Sequence, residues 1–226
     1  FFKNRDQNQS GLISIIHPWE SGYDNSPLWD FALSKITIDK NLSYERRDLK
    51  VSNNDERPLN KDYDCYITLL NQFKSDNYSP NKLLNKSMFN IIDIGFNSIF
   101  LKANKDLIEL LKLFKLDYLN LEEKIKKTEN KIFDLYNEKE KMFFSFDLKN
   151  NVQIKIPSLT NFFILFADLN HENVNTKIIK NLEDFNVNEK YFFTTIKPDH
   201  NSFEEKRYWR GPVWINTNWI IYKSLI

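Results

Sequence analysis

The sequence has 226 residues, 41% of them hydrophobic and 28% charged, with a formal net charge of +1. This length supplies one domain with a sizeable core, or a large piece of a bigger domain. The balance of charges excludes a basic footprint for nucleic acid. No apolar run approaches the roughly 20 residues that cross a bilayer, so we predict a soluble protein with no membrane partner.

Cysteine and histidine are too sparse to build a metal or disulfide framework. Cys65 is the only cysteine, which excludes internal disulfides and Cys-based zinc clusters and favours a reducing compartment, the cytoplasm. The histidines His17, His171 and His200 lie far apart, and no spacing suggests a metal site. We therefore expect neither metal nor cofactor, and the sequence carries no signal for an oligomeric state.

Apolar residues recurring at three- and four-residue steps predict mostly helices. In chain order, the predicted helices cover 57–73, 96–114, 121–139, 159–169, 172–185 and a last segment from about 215. The strongest apolar stripe comprises Phe96, Ile99, Phe100, Ala103, Leu107, Leu110, Leu111 and Phe114. Residues 143–156 instead alternate around Lys149-Asn150-Asn151, which is typical of a short β-hairpin.

These elements favour an all-α fold of antiparallel helical pairs with one small β-hairpin insertion. The chain begins with Phe1 and stops at Ile226 inside a rising apolar pattern. Natural termini are usually polar and loose. We therefore expect residues 1–226 to be part of a single domain that is truncated at both ends.

The five tryptophans fall in two short windows, residues 19–29 and 209–219. Tryptophans that only fill a core should be scattered among the helices, so this clustering marks two special segments. The first window contains Gly22 and Pro27, and the second contains Gly211-Pro212. Both windows are therefore predicted to be loops of demanding shape.

The first loop presents a carboxylate among aromatic rings. Ser26 and Pro27 suit the N-cap and first position of a helix, which places Asp24 just ahead of that helix. Aromatic faces stack on sugar rings, and a carboxylic acid can protonate a glycosidic oxygen. A helix N-terminus lowers the pKa of an aspartate, so desolvation would have to raise it more.

The alternative is that Asp24 and Asn25 only cap a helix. The second loop argues against that reading, because Tyr208, Trp209, Arg210 and Trp214 combine stacking faces with a charged donor. Taken by its chemistry alone, this second loop suits a sugar, a nucleotide or a peptide.

The two segments HPWESGYDNSPLWD and YWRGPVWINTNWIIYKSL together resemble paired signatures of glycoside hydrolase family 63, in its mannosylglycerate hydrolase and glucosidase relatives. More distantly they are similar to trehalases and other (α/α)6-barrel hydrolases. The stretches 62–66, 93–97, 144–147 and 157–168 extend the resemblance over essentially the whole chain. It implies an (α/α)6 barrel, incomplete here.

The resemblance also implies an inverting α-glycosidase with Asp24 as the general acid. The general base is a glutamate expected beyond Ile226, so the chain alone is predicted to be inactive. Within the chain, Glu20, Glu204 and Glu205 are weaker candidates for the base. The implied substrate-binding residues are Trp19, Tyr23, Asn25, Tyr208, Trp209, Arg210 and Trp214.

The substrate expected from the resemblance is a carbohydrate or glycosyl solute, an α-glucoside or α-mannoside such as mannosylglycerate or glucosylglycerate. Arg210 or Arg207 would meet the glycerate carboxylate. Trp219 is predicted to be core. Trp29 and Asp30 could serve either substrate binding or structure, and structure is favoured. The rival hypotheses are a catalytically inactive carbohydrate-binding (α/α)-barrel protein and a helical interaction module whose tryptophans are buried apart.

Overall fold

The computed structural model describes residues 1–169, 171–186 and 192–226 and is mostly helical. Its α-helices are α1 (Phe2–Arg5), α2 (Asp30–Ser34), α3 (Asn60–Ser75), α4 (Pro80–Lys86), α5 (Ile94–Leu113), α6 (Leu119–Lys131), α7 (Glu172–Leu182) and α8 (Ile215–Ser224). Short 3-10 helices lie between them, at Gln7–Gln9, Pro18–Ser21, Pro27–Trp29, Asp48–Lys50, Ile132–Leu135, Leu159–Ala167 and Glu183–Phe185.

Six two-residue strands form two small antiparallel sheets. The strands are β1 (Ser14–Ile15), β2 (Ile91–Ile92), β3 (Tyr136–Asn137), β4 (Met142–Phe143), β5 (Phe146–Asp147) and β6 (Val152–Gln153). One sheet has the order β1-β2-β5-β6, and β3 pairs with β4 in the other. The predicted hairpin is confirmed as β5–β6, but it joins a larger sheet that also includes the strand before the first tryptophan loop.

The helix predicted over residues 121–139 is longer than the observed α-helix. The α-helix α6 stops at Lys131, and a 3-10 helix follows at Ile132–Leu135 before β3. Ile132 and Leu135 are both buried at a spacing of three, which suits the three-residue repeat of a 3-10 helix. Residues 159–167 are helical as predicted, but as a 3-10 helix that is buried at seven of its positions.

The apolar stripe predicted for α5 is partly wrong. Leu107, Leu110 and Phe114 belong to that stripe and are exposed, whereas Ile94, Leu101 and Ile108 are buried. These three buried residues are spaced seven apart and lie on one face of α5. That face packs against the 3-10 helix at 159–167 and against α6. The direction of these partners, rather than the apolar pattern, decides which face of α5 is covered.

The buried apolar residues form two clusters. The first gathers around α5, α6, α7 and the 3-10 helix at 159–167. The second gathers the first tryptophan loop, α3 and the start of the second tryptophan loop, with Tyr23, Trp29, Tyr66, Phe89 and Trp209 among its members. Both predicted loops thus contribute side chains to one core cluster. Among the helices described, none is both long and apolar enough to cross a membrane.

Candidate functional site

The first loop has the local geometry that its sequence predicts. Its 3-10 turn Pro18–Ser21 ends at Gly22, whose φ of 81° is the left-handed conformation that favours glycine. Ser26 is the N-cap of the next turn, and its hydroxyl accepts a hydrogen bond from the backbone N–H of Leu28 at 3.4 Å. Pro27 follows at the first helical position. Asp24 therefore lies between two capped turns, at the tip of the loop.

Buried side chains hold the backbone on either side of Asp24. The indole N–H of Trp29 donates to the carbonyl oxygen of Tyr23 at 3.0 Å, and the Tyr66 hydroxyl donates to the carbonyl oxygen of Asp24 at 2.8 Å. The Tyr23 hydroxyl donates to the carboxylate of Asp93. The loop is thus tied to its own helix, to α3 and to α5.

Burial raises the pKa of the Asp24 carboxyl above its ordinary value of 3.8. The positive charge of Arg57 opposes this rise, as do smaller effects of the backbone N–H groups of Asp24 and Asn25 and of the Trp19 side chain. Desolvation is the largest of these effects, and it acts in the direction that the predicted role requires. A raised pKa is the property that a general acid requires.

One buried polar side chain in each loop has no hydrogen-bond partner among the described residues. Asn25 is only 2% exposed, and neither atom of its amide group makes a hydrogen bond within the described residues. The indole N–H of Trp209 is buried and likewise unpaired in that part of the chain. Buried polar groups are nearly always satisfied, so these groups call for a hydrogen-bonding ligand or water.

The second loop is a compact aromatic cluster. Trp209 and Trp214 stack with ring centroids 4.5 Å apart and an interplanar angle of 19°. Tyr208 packs edge-on against Trp214 at 5.1 Å, and its carbonyl oxygen accepts a hydrogen bond from the Trp214 indole at 3.0 Å. Trp209 reaches the first loop, where its ring lies 6.2 Å from that of Tyr23.

An ion pair links the two loops directly. The guanidinium of Arg210 makes two hydrogen bonds to the carboxylate of Asp30, one of them 2.9 Å long. The two residues are 180 positions apart in sequence. The predicted meeting of the loops is therefore confirmed, and the hypothesis of tryptophans buried apart is wrong for Trp29 and Trp209, which share one cluster.

The structure shows how several of the predicted site residues are held. Arg210 is held by Asp30 and Glu204, and Arg207 is held by Glu204 at 2.5 Å, so both arginines are occupied in loop structure. Tyr23 is 5% exposed, so it lies beneath the loop rather than on its surface. By contrast, Trp19 is 42% exposed.

Trp219 was predicted to be core and is 55% exposed. It lies with Phe193, Ile215, Tyr222 and Leu225 on the open side of α8, where they line a groove of about 410 Å³. Ile221 is the apolar residue of α8 that is fully buried. The prediction failed because both faces of α8 are apolar, and only the packing partner selects which face is buried. The structural prediction for Trp29 is confirmed, since it is fully buried.

Two further side chains of the first loop hold its structure. His17 is a hydrogen-bonded loop residue whose Nε2 lies 3.1 Å from the Tyr66 carbonyl oxygen, and burial lowers its pKa to about 4. Glu20 supports the loop, because its carboxylate pairs with Arg5 and accepts the backbone N–H of Ile16 at 2.8 Å. Among the described residues, no three of His, Cys, Asp or Glu are grouped to hold a metal ion.

Arg57 is a functional candidate that the sequence reasoning missed. Its guanidinium stacks on the ring of Tyr208, 4.5 Å from the centroid, and its charge acts on Asp24. It shares the carboxylate of Asp48 with Arg46, at 3.2 Å and 2.7 Å respectively. Two arginines thus share the carboxylate of one aspartate. Arg57 stands at the start of the helix predicted over 57–73, three residues before α3 begins, and no motif marked it as functional.

Gly211 allows the second loop to turn against itself. A Cβ atom at this position would collide with the backbone carbonyl group of Glu204, whose own backbone N–H donates to the carbonyl oxygen of Arg210 at 3.0 Å. We expect Gly211→Ala to destabilise the protein by about 1–3 kcal/mol, because backbone must shift to relieve the overlap. Urea unfolding would measure it, with Lys206→Ala on the exposed part of the same loop as the control. Equal midpoints for the two variants would contradict the prediction.

Comparison with known proteins assigns this chain to a family. The family model of the mannosylglycerate hydrolase MGH1-like glycoside hydrolase domain matches residues 1–226. Mannosylglycerate hydrolase of Thermus thermophilus is 39% identical over 217 residues, which are 96% of this chain and 52% of that protein. Glucosylglycerate hydrolase of Mycolicibacterium hassiacum is 27% identical, over 96% of this chain and 50% of that protein.

The fold agrees with the same assignment. The crystal structure of the family 63 mannosylglycerate hydrolase from Thermus thermophilus, in complex with Tris and D-glycerate, superposes with a TM-score of 0.95 at 38% identity. The match covers 99% of this chain and 55% of that one. The chain thus spans about half the length of the relatives it matches. It belongs to the mannosylglycerate hydrolase MGH1-like glycoside hydrolases, in family 63.

Proposed function

We propose that this chain supplies the general acid of an inverting α-glycosidase site that hydrolyses an α-mannosyl or α-glucosyl glycerate. The observation that carries the proposal is the carboxyl of Asp24, partly buried at the tip of an aromatic loop with a raised pKa. A group that keeps its proton can give it to the glycosidic oxygen as the bond to the sugar breaks.

The sugar would lie against the aromatic side chains of the two loops. Trp19 offers an exposed ring beside Asp24, and Trp209, Trp214 and Tyr208 form the aromatic cluster of the second loop. The amide of Asn25 and the indole N–H of Trp209, buried and unpaired among the described residues, would reach sugar hydroxyls through bridging water. Tyr23 would act from beneath the site by supporting the loop.

We assign the glycerate carboxylate to Arg57 instead of Arg210 or Arg207. Both of the latter are engaged in ion pairs with loop carboxylates. Arg57 shares its only aspartate partner among the described residues with Arg46. The two arginines and this aspartate together therefore carry one excess positive charge. Its guanidinium lies on Tyr208 and near Asp24, where the bond to an aglycone would be cleaved.

The general base is expected from a part of the protein outside residues 1–226. An inverting enzyme needs a second carboxylate, about 6.5–9.5 Å from the first, to activate water. Glu20 and Glu204 are both tied up in ion pairs with arginine. Glu205 lies exposed on the approach to the second loop. On this view residues 1–226 are part of one catalytic domain, an (α/α)6 barrel, and cleave nothing alone.

Mannosylglycerate is the preferred substrate of the two. The chain shares 39% identity with a mannosylglycerate hydrolase and 27% with a glucosylglycerate hydrolase. The compartment that we propose is the cytoplasm, in keeping with the single buried thiol of Cys65. A carbohydrate-binding protein without turnover is the second candidate, favoured by the ion pairs that occupy Glu20 and Glu204.

The test is turnover of both glycosyl glycerates by the protein that carries this chain, followed by proton NMR of the sugar released. We expect hydrolysis with the β-anomer as the first product, because water enters opposite the leaving glycerate. Retention of the α-configuration would contradict the inverting mechanism. Tight binding of mannosylglycerate without hydrolysis would establish the binding protein instead.

A further inference from the structure

The carboxylate of Asp93 is a buried junction between three parts of the fold. Asp93 is fully buried at the N-cap of α5, where it accepts the backbone N–H of Phe96 at 2.7 Å. It also accepts the hydroxyl of Ser145 at 2.7 Å and the hydroxyl of Tyr23. One side chain thus accepts hydrogen bonds from a helix, from the segment between β4 and β5, and from the first loop.

The junction is braced so that Asp93 has little freedom to move. Ser145, itself fully buried, accepts the backbone N–H of Ile94 at 3.1 Å while donating to Asp93. The adjacent residue of the sheet, Phe146, pairs with Ile92 one residue before Asp93. The sheet and the helix therefore fix the carboxylate from two sides, and the Tyr23 hydroxyl meets a rigid acceptor.

Helix capping alone does not account for this arrangement. A cap needs only the contact with the N–H of Phe96, two to three residues into the helix. The Tyr23 hydroxyl comes from a loop 70 residues away, and it approaches the first turn of α5 so closely that a Cβ atom at Gly95 would lie 2.6 Å from it. The first turn of α5 is therefore shaped to admit this hydroxyl.

Because Tyr23 precedes Asp24 in the chain, the contacts that hold Tyr23 also restrict the position of Asp24. Its ring stacks on Trp29 at 5.6 Å and its carbonyl oxygen accepts the Trp29 indole N–H, so both ends of the tyrosine are held. With the ring and the backbone fixed, the direction in which Asp24 leaves the chain is fixed as well. A misplacement of about 1 Å at such a group is enough to lower a rate strongly.

We propose that Asp93 is a positioning residue for the glycosidase reaction, which aims the acid carboxyl of Asp24 through its hydrogen bond with Tyr23. The inference rests on the proposed function, because it needs Asp24 to be the proton donor. Asp93 itself touches neither sugar nor aglycone in this account. Its effect is confined to how well the proton of Asp24 reaches the glycosidic oxygen.

The test compares two leaving groups in the protein that carries this chain. Mannosylglycerate needs a proton on its leaving oxygen, whereas α-mannosyl fluoride releases fluoride with little need for one. For Tyr23→Phe we expect kcat on mannosylglycerate to fall about tenfold with KM nearly unchanged, part of the 10²–10⁴-fold effect of general acid catalysis. Turnover of the fluoride should stay near that of the unaltered protein.

Gly95→Ala gives an independent version of the same test, because its methyl group would lie 2.6 Å from the Tyr23 hydroxyl and push it away from Asp93, while both side chains keep their hydrogen-bonding groups. It also serves if Tyr23→Phe does not fold. The matched control is Ser98→Ala, which removes a buried hydroxyl that bonds the Ile94 carbonyl oxygen on the same helix. The control should leave the rates on both substrates unchanged.

An equal loss on both substrates, or no loss on either, would overturn the positioning role of Asp93. The proposed function is tested separately by Asp24→Asn. If that variant still hydrolyses mannosylglycerate normally, the acid assignment fails. If it loses activity while Tyr23→Phe and Gly95→Ala do not, only the role of Asp93 fails.

Discussion

Replacement of Asp24 by asparagine is expected to lower kcat on mannosylglycerate about a thousandfold, within the usual contribution of general acid catalysis. Asparagine keeps the size and the hydrogen-bonding ability of the side chain but has no proton to give to the leaving glycerate. Because the loop is held by Trp29 and Tyr66 through backbone carbonyl groups, the variant should fold normally. Steady-state kinetics with both glycosyl glycerates would measure the loss.

Asp62→Asn is the matched control for that experiment. Asp62 is also partly buried, with a pKa raised by desolvation, but it caps α3 by accepting the backbone N–H of Leu59 at 3.1 Å. Asparagine can accept the same hydrogen bond, so activity should be retained. On α-mannosyl fluoride, Asp24→Asn should lose far less activity than on mannosylglycerate. Normal hydrolysis of mannosylglycerate by this variant would remove Asp24 from the mechanism.

Arg57→Met is expected to raise KM for mannosylglycerate about thirtyfold, since hydrogen bonds to charged groups contribute about 1.5–3 kcal/mol. It should also change the pH dependence. The positive charge of Arg57 lowers the pKa of Asp24, so its removal raises that pKa further. A general acid works only while protonated, and the fall in kcat/KM at high pH should therefore move to higher pH.

Arg47→Met supplies the control for Arg57, because Arg47 is an exposed arginine in the same segment. Its KM and pH profile should match those of the unaltered protein. Arg57→Lys should recover part of the affinity, since lysine restores the charge but not the planar two-point contact. An unchanged KM in Arg57→Met would show that the glycerate carboxylate binds elsewhere.

The features that could be read from the sequence are those fixed by local chemistry. Ser26 and Pro27 start a helical turn wherever the backbone allows it, so their roles and the place of Asp24 at the loop tip followed directly. The clustering of tryptophans also identified the two loops that meet, and the Arg210–Asp30 pair brings them together.

The features that the sequence left open depend on which surfaces meet in the fold. Arg57 reaches Tyr208 from a polar segment, and Asp93 reaches Tyr23 from the start of α5, both across long separations in the chain. Arg210 has a side chain that could bind a substrate carboxylate, but in the fold it pairs with Asp30. Trp219 has the pattern of a core residue but lies on the open face of α8. Each outcome was decided by a partner distant in sequence.

The central claim is that burial of its carboxyl raises the pKa of Asp24 and so favours the protonated form that a general acid needs. The most direct measurement is a titration of Asp24 by NMR, with carbon-13 in the aspartate side chains and Asp24→Asn to assign the signal. We predict a pKa above the ordinary value of 3.8. A pKa at or below that value would contradict the account, because the carboxyl would then be ionised like any exposed aspartate.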